Sequence, residues 1–191
     1  VYALGKFVQE RMTHIMAAPY GIESTCLRLF NVYGPGQALS NPYTGVLAIF
    51  AARLLNGQPP MIFEDGEQRR DFVHVADVAR AFADALDHPA AAGGTFNIGS
   101  GEDRSVRQVA RALAEAMGRN DLDAEIVGKA RTGDIRHCYC DTTLARETIG
   151  FSARQDFGEG LADLADWLAG QTAEDRAERA RGELEARGLV A

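Results

Sequence analysis

Three cysteines (Cys26, Cys138 and Cys140) in 191 residues are too few, and the wrong parity, for a disulfide framework. A chain of this length buries most of its apolar surface without one, so free thiols and a reducing compartment, the cytoplasm, are expected. Positive charge is also in deficit. Twenty Lys and Arg against 27 Asp and Glu leave a formal net charge of −7, which argues against binding a nucleic-acid backbone. No run approaches the ~20 apolar residues of a membrane span. There is no internal repeat, no low-complexity segment before the tail, and no G-x-G-x-x-G turn. What is present, 46% hydrophobic and 25% charged residues, is the balance of an ordinary globular chain.

Hydrophobic spacing gives an alternation of helices and strands. Leu4, Val8, Met12 and Ile15 form one stripe of a helix over 1–17, ended by Pro19 and Gly21. Residues 24–30 read as a buried strand stopped by Asn31 and Gly34-Pro35-Gly36. After a polar loop through Pro42, a helix over about 44–55 carries Val46, Leu47, Phe50 and Leu54, with Asn56-Gly57 as its stop. Met61-Ile62-Phe63 is a short apolar run, and 71–75 is a strand leading into a helix with Val78, Phe82 and Leu86. Residues 95–98 form another strand, and Ser105 with Gln108 forms a capping box for a helix ended by Gly118. A strand near 124–127, a helix over 142–149 and a helix over 160–169 follow. The tail from Thr172 to Gly188 is a charged helix with the i,i+4 pairs Asp175/Arg179, Arg179/Glu183 and Glu183/Arg187; it reads as a solvated surface helix packed weakly on the body, or as a contact to a partner subunit.

The alternation predicts an α/β fold with a partly parallel sheet. Without a Gly-rich phosphate turn, a dinucleotide fold would have its phosphate-binding half elsewhere. The helix already under way at Val1 fits that expectation.

Tyr2 and Lys6 lie four apart on a helix, so both project from one face. A phenol with an ammonium one turn away is an acid/base device for an alcohol or sugar hydroxyl, because the cation favours the phenolate. A Tyr-x-x-x-Lys match alone arises often by chance, and an ordinary surface pair is the alternative. His137, Cys138 and Cys140 lack the ligand number and spacing of a zinc site; Cys138 and Cys140 alternate on one face of a strand, so core packing accounts for the two cysteines and no metal is expected. His74 reads as a structural histidine, and His14 and His88 show no partner pattern.

Five further segments accompany the Tyr/Lys pair in a fixed order. They are Leu27-Arg28-Leu29-Phe30-Asn31-Val32-Tyr33-Gly34-Pro35-Gly36, the run from Phe63 through Arg70-Asp71-Phe72-Val73-His74 to Ala79, Phe96-Asn97-Ile98-Gly99-Ser100-Gly101, Arg131-Thr132-Gly133-Asp134, and Asp141 to Arg146. The series resembles the C-terminal half of the extended short-chain dehydrogenase/reductases, specifically the NAD-dependent nucleotide-sugar epimerase/dehydratase family, over roughly residues 1–168.

That resemblance implies the end of a Rossmann-like sheet with a small α/β substrate-binding subdomain over 1–170, a helical tail over 171–191, and a dinucleotide-binding half outside the chain. It implies NAD as cofactor and a nucleoside-diphosphate sugar as substrate. By resemblance Tyr2 is the catalytic acid/base, Lys6 holds the nicotinamide ribose and lowers the tyrosine pKa, and Phe30 lies beside the nicotinamide. Asn31, Arg70 and Arg131 hold the diphosphate, where a guanidinium fork matches phosphate oxygens. Asp134 bonds the nucleotide ribose, and Val46, Leu47, Met61, Ile62 and Phe63 line the base and ribose pocket. Arg69 is the less suited of the two neighbouring arginines, since the family motif sets its arginine directly before the Asp. A homodimer through the Tyr/Lys helix is the expected assembly.

Within the family, the run from Gln37 to Val46 followed by Phe63-Glu64-Asp65-Gly66 most resembles dTDP-L-rhamnose 4-epimerases, with UDP-glucose 4-epimerases next. Glu64 departs from the pattern, where most relatives have glycine before the Asp-Gly turn. The implied reaction is NAD-dependent epimerisation at C4, absent from this polypeptide by itself. A 4,6-dehydratase, decarboxylase or reductase shares the same motifs. A non-catalytic remnant that binds a nucleotide sugar or a protein is the reading from another class.

Overall fold

The structure, a computed structural model, describes residues 2–39, 45–130 and 133–190. It opens on helix α1 (Tyr2–Ala17), followed by a 3-10 turn and Gly21 in the left-handed region (φ 63°). Strand β1 (Cys26–Leu29) pairs in parallel with β5 (Thr95–Ile98). The chain does not stop at Asn31. It crosses into β2 (Asn31–Tyr33), which pairs in parallel with β4 (Arg69–His74). The first half of β4 is flanked by antiparallel β6 (Asp103–Ser105) and parallel β8 (His137–Cys138), and β3 (Met61–Ile62) pairs with β7 (Glu125–Ile126). The helices between are α2 (Val46–Leu55), α3 (Val75–Asp87), α4 (Val106–Ala116), α5 (Thr143–Ile149), α6 (Phe157–Leu168) and α7 (Ala177–Ala186).

Strand β4 divides two cores. Alternate side chains of a strand face opposite ways, so Phe72 enters one core and Val73 the other. The first core packs Leu47, Phe50 and Leu54 of α2 against Val109 and Leu113 of α4 and Leu161, Leu164 and Leu168 of α6. The second holds Val78 and Ala81 of α3, Phe96 and Ile98 of β5, and Ala145, Ile149 and Phe151. Ser105 and Gln108 form the expected capping box, and Gly118 closes α4 with φ 66°.

Three expectations need correction. Strand β1 is half exposed instead of buried, since β5 is its one partner among the described residues. In α3 only Val78 of its stripe is buried; Phe82 and Leu86 remain exposed. Helix α6 begins at Phe157, earlier than the expected 160, because the Asp156 carboxylate accepts from the Gly158 and Glu159 N–H groups and caps it.

The tail packs on the body through polar contacts, with no residue of α7 buried. Arg53, 3% exposed in α2, donates to Pro59 O at 2.6 Å and otherwise faces Asp175 and Glu178 at 3.5 and 3.4 Å. Lys129–Glu185 at 2.9 Å and Arg181–Glu125 at 3.8 Å tie α7 to the β3–β7 edge. Of the i,i+4 pairs read in the sequence, Arg179–Glu183 forms at 3.2 Å, while Asp175 turns to Arg53.

Candidate active site

Tyr2 and Lys6 share a face of α1, as their spacing requires. The Lys6 ammonium stands 5.6 Å from the centre of the Tyr2 ring and donates to Gln9 Oε1 at 3.3 Å. The phenol is 78% exposed. So are large parts of the Leu4, Val8, Met12 and Ile15 stripe, since the described residues pack little against this helix. Its anchors are polar. Glu10 accepts two bonds from Arg28 at 2.7 and 2.8 Å, and His14 bridges Ser24 Oγ at 2.9 Å and Thr95 Oγ1 at 3.0 Å. The His14 bridge joins residues 81 apart in the chain, so no local pattern announces it.

Phe30 occupies the crossing from β1 to β2, its N–H donating to Ile98 O at 3.1 Å. Asn31 begins β2, and its side-chain N–H donates to Asp71 O at 2.9 Å, its one side-chain partner among the described residues.

Arg70 turns its guanidinium to the segment 133–136. Nη1 donates to Arg69 O and Arg136 O, both at 2.8 Å, and Nη2 to Ile135 O at 2.5 Å. Asp134 lies exposed in that segment. Arg69 pairs instead with Asp103. Arg131 and Thr132, together with Val1 and residues 40–44 of the run that follows Gln37, lie outside the described residues.

Val46 and Phe63 keep some exposed surface, whereas Leu47, Met61 and Ile62 are buried. Leu47 and Ile62 belong to the first core, so their side chains pack within it.

Sequence reasoning missed Asp71. It is fully buried, and its carboxylate accepts from Ser100 N at 2.7 Å, Ser100 Oγ at 2.8 Å, Gly101 N at 3.0 Å and Cys140 Sγ at 3.2 Å. Burial and the Asp71 charge push the Cys140 thiol far up, so it serves as a donor and not a nucleophile. Gly99 is required here, because a Cβ would meet Cys140 Sγ and stand 2.6 Å from Asp71 Oδ2. The clue was the Gly99-Ser100-Gly101 turn, whose N–H groups suit a carboxylate. Asp77 plays the same part for Arg80 and the Arg154 and Gln155 N–H groups.

In sequence His74 reads as a satisfied structural histidine, but its buried Nε2 makes no hydrogen bond among the described residues and faces Asp163 Oδ2 at 3.3 Å. His74 Nδ1 accepts from Ala76 N at 3.3 Å to cap α3, and its ring meets Tyr33 edge-on at 5.3 Å. His137 Nδ1 accepts from Arg69 N at 3.2 Å, and Cys138 sits in β8 beside Arg70. Among the described residues no group of His, Cys, Asp and Glu is placed to hold a metal, and no helix is long and apolar enough to cross a membrane.

Comparison with known proteins gives a consistent set of matches. Residues 1–99 match the NAD dependent epimerase/dehydratase family. The chain is 34% identical over 169 residues to a dTDP-L-rhamnose 4-epimerase from Burkholderia thailandensis, covering 88% of this chain and 46% of that protein. It is similar to the crystal structure of UDP-glucose 4-epimerase from Thermotoga maritima with UDP-glucose, at TM-score 0.79 and 35% identity, over 88% of this chain and 53% of the other. The UDP-glucose 4-epimerase of Thermus thermophilus in complex with NAD matches at TM-score 0.77 and 33% identity, over 90% and 54%. The chain thus spans about half the length of the relatives it matches.

Proposed function

The chain belongs to the NAD dependent epimerase/dehydratase family, and from that premise we propose that it carries the acid/base pair and the nucleotide clamp of a nucleoside-diphosphate-sugar 4-epimerase. The observation that carries this reading is the exposed Tyr2 phenol with the Lys6 ammonium on the same helix face.

The residues present fit the nicotinamide-ribose end of NAD. Lys6 has three donors, of which Gln9 engages one among the described residues, and Tyr2 is open to a ligand. NAD, when bound, supplies the acceptor and donor of a hydride. Tyr2 takes the proton of the sugar hydroxyl at its phenolic oxygen and returns it after the sugar has presented its other face. Lys6 holds the ribose through its ammonium. Asn31 and Arg70, with Arg131, hold the diphosphate, and Asp134 holds the nucleotide ribose. Val46 and Phe63 border the base, with Leu47, Met61 and Ile62 supporting them. Binding energy thus falls on the part of the substrate that does not react.

The substrate is dTDP-L-rhamnose, with a UDP-hexose as the second candidate; the likeness of the Gln37–Val46 run and the Burkholderia relative support that order. A homodimer through α1 accords with its exposed apolar stripe.

Calorimetric titration with dTDP, UDP, their monophosphates and the nucleotide sugars tests the clamp. Diphosphates should bind more tightly than monophosphates, and Arg70→Gln should weaken the diphosphates alone. Equal affinity for mono- and diphosphates contradicts it. The 191 residues by themselves, which hold no Gly-rich phosphate turn, should release no epimerised sugar when supplied with NAD, as read by proton NMR of the products.

A further inference from the structure

Glu64 is the one non-glycine residue with positive φ (56°) among the described residues. An L side chain is strained in that conformation, so neighbouring contacts must hold it there. Those contacts all lead to one stretch of chain. The Glu64 N–H donates to Lys129 O at 3.0 Å, and Glu64 O accepts from Gly128 N at 3.1 Å. The Glu64 carboxylate accepts from Arg136 Nη1 at 2.7 Å, and the same guanidinium reaches Asp65 through Nη2 at 2.8 Å and Nη1 at 3.3 Å. Gly128 and Lys129 on one side, and Arg136 on the other, therefore meet at Glu64, and Arg136 also takes Asp65.

Asp134 lies just ahead of this fork. The carbonyls of Ile135 and Arg136 engage Arg70, so that with the Arg69 carbonyl three of its five N–H groups are used among the described residues. Two are left for a ligand. Segment 133–136 and a bound diphosphate would share one guanidinium, and the segment's position decides how that guanidinium is presented.

We propose that Glu64, acting through Arg136, is a positioning residue for the nucleotide end of the site, holding segment 133–136 so that Asp134 and Arg70 are set before the nucleotide arrives. The inference rests on the reading of Arg70 and Asp134 as substrate groups. Its physical content is pre-organisation: a segment fixed in advance loses less freedom on binding.

Three variants of the full chain test it: Glu64→Gln removes the charge and keeps the strain, Glu64→Gly removes both, and Arg136→Gln removes the fork. Amide hydrogen exchange at 133–136 is followed by NMR without ligand, UDP and dTDP affinities by calorimetry, and Tm by scanning calorimetry. The expected result is faster exchange at 133–136 in all three and affinities reduced about threefold to tenfold. The Tm of Glu64→Gly should not fall, since relief of the positive φ offsets the lost pair. Unchanged exchange overturns the proposal. Faster exchange with unchanged affinity reduces the fork to a structural tie and overturns it as well. If the unaltered chain binds neither UDP nor dTDP while exchange at 133–136 is faster in the variants, the reading of Arg70 and Asp134 as substrate groups has failed and the positioning role falls with it.

Discussion

Gly160 shows what a single missing side chain does in this molecule. A Cβ there would press into the Tyr33 hydroxyl and stand 3.2 Å from His74 Cδ2, so α6 lies against β2 and β4 only because the residue is glycine. Gly160→Ala should cost about 1–3 kcal/mol in chemical denaturation, as overpacking does in close-packed cores, and Tyr33→Phe in that background should recover part of it. Asp65 reports the fork with Arg136. The guanidinium holds its carboxyl down to about 2 from an ordinary 3.8. A depressed carboxylate stabilises the fold above its ordinary value and loses that contribution as pH falls through about 2. Carbon-detected NMR should find a midpoint near 2, returning toward 3.8 in Arg136→Gln. Residues of this kind mark the limit of legibility. Arg70 stood out because its neighbours in the chain form a motif. Asp71, beside it, takes its bonds from Ser100, Gly101 and Cys140; the Gly99-Ser100-Gly101 turn hints at a bound carboxylate, but nothing local says that it is Asp71, about 30 residues away.

Elements were legible where their signal is local. The Ser105–Gln108 box fixes the start of α4 from four consecutive residues, and the structure forms both of its bonds. Ser105→Ala should cost about 1 kcal/mol, read as a lower urea midpoint with an unchanged slope. Periodicity likewise gave α1, α2 and α4 with small errors at their ends. It does not say what covers an apolar face. The stripes of α1 and α3 have helical spacing, yet Met12, Ile15, Phe82 and Leu86 are exposed among the described residues. For α6, the glycines at 158 and 160 hid the first turn, because glycine is a poor helix former and the Asp156 cap lies just before it. The crossing at Phe30 was read as a strand end, since a switch between two parallel pairs depends on partners more than 40 residues away.

Across the molecule, β4 is the spine. It separates the two cores, carries Arg70 and Asp71, and pairs with β2, β6 and β8. The tail joins this body through the buried Arg53, which has acidic partners at Asp175 and Glu178. Arg53→Ala should lower stability by roughly 1–3 kcal/mol and open 172–190 to limited proteolysis, read by mass spectrometry of the cleaved chain. The net charge of −7 sets no attraction for an anionic ligand, so the proposed nucleotide would have to be met by local arginines. That places the account's weight on Arg70 and its surroundings. The most direct test is a protein-observed NMR titration of the isotope-labelled chain with dTDP. Shifts confined to Asn31, Arg70, Asp134 and their neighbours, and lost in Arg70→Gln, are the predicted result. Shifts elsewhere on the surface, such as along α7, or none at saturating dTDP, would contradict it.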